Sequence, residues 1–278
     1  MSRRRSPFLR TRLPWGAMWD GSGNAPTRAW RLALAAGAAA LYLVGLGGTD
    51  LWAPDEPRYA HVAAELFALE RGVEDLVLLR VNGEPYDQKP PLYFWLAALA
   101  SVPSGEVREW TARLPSALAG IACVALTFAL GRRLFDARVG AWGAAFLATV
   151  VDFAFLARRA RLDVMLTLFT LLAALVCWRI LVDGDRRRRS VALLHLALGL
   201  GTLTKGPVVF VMLLAAGAFL VWERRPREFL RLVPAWGFLI SLGLPAAWLA
   251  GAVALGPEGF FDVAVVQNTL GRFAGGYS

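Results

Sequence analysis

Apolar runs with few charges recur along this chain, most of them about 18–25 residues long, the length that crosses a hydrocarbon core about 30 Å thick. They lie near 30–48, 112–131, 139–157, 164–182, 190–204, 207–222 and 232–254. Together they predict about seven transmembrane helices in an all-α, polytopic bundle. Composition agrees: 57% of the 278 residues are hydrophobic, above the roughly 45–50% of soluble domains. The first run is too long, and too far from the N-terminus, for a cleaved signal segment. Cys123 and Cys177 both fall inside apolar runs without metal or redox spacing, and read as buried structural thiols.

The formal net charge is +9. In a soluble protein such an excess points to nucleic acid. Here the arginines sit in short loops between apolar runs, so nucleic acid is excluded and topology explains them. Arg132, Arg133 and Arg138, then Arg186 to Arg189, then Arg224, Arg225 and Arg227 occupy alternate loops, and the N-terminal tail is also Arg-rich. Positive loops stay in the cytoplasm. Residues 1–27 therefore read as a disordered, basic cytoplasmic tail, and 28–278 as the membrane module. The loop at 49–109, the Arg158–Asp163 stretch, the Lys205 turn and the C-terminal segment then share the outer face. Within the long loop, two surface helices are expected. One covers 91–102, too short to span. The other covers 55–71, with Val62, Leu66 and Leu69 on one face.

Ionisable groups that survive close to a membrane are costly and tend to mark functional sites. The outer face holds Asp55, Glu56, Arg58, Glu84, Asp87, Lys89, Arg158, Arg159, Arg161, Asp163, Lys205, Asn268 and Arg272. Snorkelling to the headgroups accounts equally well for any single arginine. The lysines are more informative. Only Lys89 and Lys205 occur among 30 basic residues, both on this face, and a compact ammonium suits a phosphate. For Asp55, helix capping is the stronger reading from composition alone, with Pro57 in the first turn. Capping is also the stronger reading for Asp163. His61 and Glu65 have i,i+4 spacing but are too few to specify a metal. His195, inside a span, reads as a packing residue. No Walker loop, dinucleotide motif or zinc cluster occurs, so a soluble nucleotide-sugar donor has no evident site.

Six short motifs then occur in order: DEPRYA, QKPPLYFW, TARLPSALAG, ARRARLD, GLGTLTKGP and QNTLGRF. The series resembles the integral-membrane glycosyltransferases related to aminoarabinose–lipid A transferase and protein O-mannosyltransferase, from about Trp30 to the end. The resemblance implies a GT-C fold, a polyprenyl-phosphate sugar donor, a lipid, glycan or protein acceptor, a periplasmic active site in a bacterial inner membrane, and inversion at the anomeric carbon. It assigns the catalytic position to Asp55, with Glu56, Arg58 and Tyr59 beside it. Lys89 falls near the donor phosphate, and Asp163 is the acidic residue before the fourth span. Lys205 forms the KG turn, and Asn268 and Arg272 lie on the later outer loop. Arg158 joins the cations available to the leaving phosphate. Relatives often carry Glu where this chain has Gln88, which leaves a divalent metal open. They also continue well past this point, which implies a truncated module. Two rivals remain: a lipid or sugar transporter, and a non-catalytic membrane subunit. A transporter would place polar groups near the midplane of repeated halves.

Overall fold

The structure is a computed structural model and describes residues 28–271; the basic tail lies outside the described residues. It is a helical bundle. Helix α1 covers Arg28–Leu43, α2 Asp55–Ala68, α3 Leu92–Ser101, α4 Glu109–Leu134, α5 Ala137–Thr149, α6 Val151–Ala157, α7 Leu162–Leu181, α8 Arg188–Lys205, α9 Val211–Trp222, α10 Ala235–Ser241 and α11 Gly243–Leu255. A π-helical segment, Asp262–Gly271, follows.

Every apolar run of the sequence becomes helix, but not every run becomes one straight rod. Among the described residues, only α4 and α7 are long and apolar enough to cross a membrane unaided. Four spans result if each bent pair counts as one. The pair α5–α6 bends by 67° at Val150, and α10–α11 by 45°. The second bend has a clear cause. Pro245 has no N–H to give the Ser241 carbonyl, and α10 ends at Ser241. Helix α8 has the length to cross but carries Arg188, Arg189 and Lys205 at its ends. It stops at Gly206, whose φ of +80° only glycine adopts readily, and Pro207 prevents continuation.

Connectivity gives the bundle two ends. The α1–α2 loop, the α3–α4 loop, residues 158–161 and the Gly206 turn lie at one. The α4–α5, α7–α8 and α9–α10 loops lie at the other. At the first end α3 packs into α2 and α4, burying Leu92, Tyr93, Phe94 and Ala97. It is thus more enclosed than a helix lying on the surface. On α2, Val62, Ala63 and Leu66 face inward as the periodicity predicts, but Leu69 does not. It ends the helix in a left-handed conformation (φ 48°) and is 43% exposed. Between α2 and α3 runs a short hairpin that helical periodicity passed over, Arg80–Val81 against Glu84–Pro85, with Arg80 opposite Pro85. Its Asn82-Gly83 turn has positive φ at both positions, as a tight two-residue turn requires.

The core is sealed by close helix contacts. Gly131 of α4 and Gly140 of α5 meet backbone to backbone: a Cβ on Gly131 would lie 2.7 Å from the Gly140 Cα. Tyr42 of α1 donates to the Ala148 carbonyl of α5 at 3.0 Å. His195 of α8 is fully buried, with Nδ1 3.0 Å from Ser241 Oγ and Nε2 2.9 Å from the Leu232 carbonyl. It pins α8 to α10, the packing role expected of it. Cys123 and Cys177 are buried and unbridged.

Candidate functional site

Asp55 opens α2, and its neighbour Glu56 is turned inward by the helix. The two carboxylates meet different surroundings. Glu56 is 1% exposed. Its oxygens accept from Arg113 Nε and Nη2, both at 3.0 Å, from Arg159 at 3.0 Å, and from the amides of Trp52 (2.8 Å) and Ala160 (2.6 Å). Burial works against its charge, yet Arg113, the two amides and Arg159 together hold the carboxyl below the ordinary glutamate value. Arg113 is equally buried. It also donates to the carbonyls of Leu46 (2.9 Å), Thr49 (2.8 Å) and Asp50 (2.8 Å). One ion pair thus ties α2 and α4 to the loop after α1, and Arg159 brings in the end of α6. Arg159 also lies over the rings of Trp52 (5.3 Å) and Phe155 (4.9 Å). All of the acceptor capacity of Glu56, expected beside the substrate, is taken up within the protein.

Asp55, by contrast, remains partly open. It is not a helix cap: Pro54 holds that position. One oxygen accepts from Arg58 at 2.5 Å and the other from Arg161. Arg161 reaches it from the turn before α7. That turn is clamped by Ser116 of α4, which accepts from the Arg161 amide (3.1 Å) and donates to its carbonyl (2.9 Å). Both guanidiniums keep about a third of their side chains exposed, 35% for Arg58 and 28% for Arg161. In this cluster four guanidiniums, Arg58, Arg113, Arg159 and Arg161, are answered by two carboxylates, an excess of positive charge suited to an anion.

A chain of edge-on rings joins this cluster to the Lys89 loop. Tyr59 meets Phe94 at 5.8 Å, and Phe94 meets Tyr86 at 5.6 Å. Burial, then the Asp55 charge, pushes the Tyr59 hydroxyl upward. The Tyr86 hydroxyl is raised further by burial, with Tyr59, Arg58, Asp55 and Asp87 all close enough to act on it. It is buried without a hydrogen-bond partner among the described residues. Burial likewise raises the Asp87 carboxyl. Lys89, half-buried, follows three residues after Tyr86 at the entry to α3. Asn268 closes over this loop, donating to the Asp87 carbonyl at 3.3 Å.

The remaining expected residues that the structure describes make contacts of their own. Asp163 is the second residue of α7 and pairs with Lys205, joining the start of α7 to the end of α8. It does not cap its helix, whose N-cap is Arg161. Arg158 donates to the carbonyls of Leu41 and Gly45 at the end of α1, an anchoring role. Arg272 lies outside the described residues. His61 pairs with Glu65 at 3.0 Å. Among the described residues, no three His, Cys, Asp or Glu side chains converge as metal ligands. A cavity of about 280 Å³, lined by Glu65, Glu70, Asp75, Arg71 and Arg80, lies toward the other end of α2. Asp55 and Glu65 are separated along that helix by about 15 Å. Sequence reasoning placed Arg161 on the outer face without giving it a role, and passed over Arg113 and Tyr86. All three stand inside or beside the quoted motifs, but only long-range contacts give them roles.

A polytopic bundle of membrane helices is the architecture of GT-C transferases. Two solved structures of ArnT from Cupriavidus metallidurans share it. The apo form matches with a TM-score of 0.75 and 26% identity over 85% of this chain and 44% of that one. The form bound to undecaprenyl phosphate matches with 0.76 and 27% over 86% and 44%. Residues 88–250 match the family described as dolichyl-phosphate-mannose-protein mannosyltransferase, and the chain belongs to that family. Among curated relatives, an undecaprenyl phosphate-alpha-4-amino-4-deoxy-L-arabinose arabinosyl transferase of Pseudomonas paraeruginosa is 33% identical over 238 residues, 84% of this chain and 42% of that protein. A Pseudomonas fluorescens transferase of the same description is 30% identical over 271 residues, 94% and 44%. The chain thus spans less than half the length of these relatives.

Proposed function

We propose that this chain carries the catalytic face of a glycosyltransferase that moves a sugar from a polyprenyl-phosphate donor to an envelope acceptor. The site faces the periplasm of a bacterial inner membrane, and the Arg-rich loops of the opposite end face the cytoplasm. The observation that carries this reading is Asp55 held between two partly exposed guanidiniums at one end of a membrane bundle.

The chemistry follows from that arrangement. As the donor's C–O bond breaks, charge accumulates on the leaving lipid phosphate. Arg58, Arg161 and Lys89 are the cations in reach to neutralise it, and such fixed electrostatic stabilisation is often the largest catalytic contribution. The phosphate competes with Asp55 for the same guanidiniums. Drawing them away leaves the carboxylate open to accept the proton of an acceptor hydroxyl as that oxygen attacks the anomeric carbon from the opposite side. Glu56 and Arg113 take no part in the exchange; they hold the first turn of α2 in place. Asn268 covers the donor loop through the Asp87 carbonyl, and the Asp163–Lys205 pair holds the start of α7 to the end of α8. Arg158 is kept as an anchor of α1.

The test is transfer from a radiolabelled polyprenyl-phosphate sugar by the purified chain in proteoliposomes. Asp55→Asn should lower the rate by about 10²–10⁴-fold, the usual worth of a general base, with membrane insertion unchanged. Transfer at the wild-type rate by Asp55→Asn would overturn the assignment.

A further inference from the structure

The end of the bundle remote from Asp55 carries a second charged concavity. Arg113 and Arg133 both belong to α4, and twenty helical residues separate them by about 30 Å. There α4, the end of α7 and the start of α8 frame a cavity of about 530 Å³, lined by Arg133, Arg179, Arg186 and Arg187 with Asp183 and Asp185. The two carboxylates are already engaged. Asp183 pairs with Arg133. Asp185 accepts from Arg179 at 2.9 Å, from the Arg187 amide at 3.1 Å and from Ser190 Oγ at 2.8 Å. The Ser190 hydroxyl, followed by that amide, draws the Asp185 carboxyl down to about 2, so it stays an anion committed to these donors.

Arg186 and Arg187 are left exposed in the cavity wall with no side-chain acceptor among the described residues. Arg188 and Arg189, also exposed, open the first turn of α8. No side chain caps that turn, so its amides add their own partial positive charge. The apolar neighbours decide between a free anion and a lipid. Leu134 and Phe135, directly after Arg133, are 38% and 61% exposed. Hydrocarbon surface beside unanswered cations, at the end of the spanning helices, matches a phosphodiester with acyl chains attached.

We propose that this cavity binds the headgroup phosphate of an anionic phospholipid, Arg186 and Arg187 contacting the phosphate while Leu134 and Phe135 meet the chains. The site is separate from the donor site and does not rest on the transferase reading.

Native mass spectrometry tests it on the whole chain released from nanodiscs of phosphatidylglycerol and phosphatidylcholine in equal parts. The wild type should retain phosphatidylglycerol selectively. The double variant Arg186→Gln with Arg187→Gln should retain about thirtyfold less, since each cation near an anionic lipid contributes roughly a fivefold gain. Lysine at both positions should restore most of it. Arg224→Gln with Arg227→Gln removes two exposed arginines from another loop at the same end and should leave retention unchanged. Equal losses in the two Gln doubles would mean diffuse surface charge and overturn the site, as would unchanged retention in the first. Displacement of the lipid by millimolar inorganic phosphate alone would overturn the lipid assignment.

Discussion

Asp55 and Glu56 are neighbours in sequence, yet one helical step of about 100° sends them to different tasks. Glu56 turns into protein and is saturated by five donors. Asp55 turns toward the surface and meets two cations that can leave it. Removing one partner of the buried pair strands the other charge. Arg113→Ala should therefore cost about 3–5 kcal/mol, read as a lower unfolding midpoint in detergent. Arg113→Lys should recover little, because an ammonium cannot reproduce the fork that grips both Glu56 oxygens. Acid acts on the same pair with a definite sign. Because the folded Glu56 carboxyl lies below its unfolded value, its stabilisation is complete above the unfolded value. It is lost as pH falls through the lower, folded one. A titration of the unfolding midpoint should show that decline, and Glu56→Gln should be less stable at neutral pH with a flatter acid limb. The motif drew attention to both acids. It did not separate their roles, because Arg113 lies 57 residues from Glu56 along the chain.

At the level of helices, the bundle is drawn together by small residues at crossings. A Cβ on Gly140 would stand 2.7 Å from the Phe128 carbonyl oxygen, with backbone on both sides and no flexible side chain to yield. Gly140→Ala should force α4 and α5 apart and destabilise by about 1–3 kcal/mol. Gly143→Ala on the same helix, where the nearest atom would be Thr127 Cγ2 at 3.8 Å, should be close to neutral. Thermal unfolding of the two variants side by side checks the contrast. Gly237 is a second such contact, since a Cβ there would lie 2.3 Å from His195 Nε2. Periodicity located α2 and α3 well. It misjudged Leu69 because a left-handed helix end takes that residue off the face. It also passed over the hairpin although Asn82-Gly83 was there to be read.

For the molecule as a whole, the separation of acidic and cationic groups at one end from the arginine loops at the other makes orientation testable. Both native cysteines are buried, so an introduced thiol should dominate labelling. With the site facing the periplasm, Asn82→Cys should react with a membrane-impermeant maleimide in cells whose outer membrane alone is permeabilised. Arg186→Cys should react only after the inner membrane is opened. The reverse pattern would invert the topology.

Apolar run length and loop charge, read along the chain, already determined a helical membrane protein with two unlike ends. These properties depend on the solvent each segment meets, and local composition sets that. The division of labour between Asp55 and Glu56, the clamp of Ser116 on Arg161 and the burial of Tyr86 came only from tertiary structure. Each depends on which distant backbone carbonyl, amide or guanidinium the packing of α2, α4 and α7 brings within hydrogen-bond reach, and local composition does not encode that.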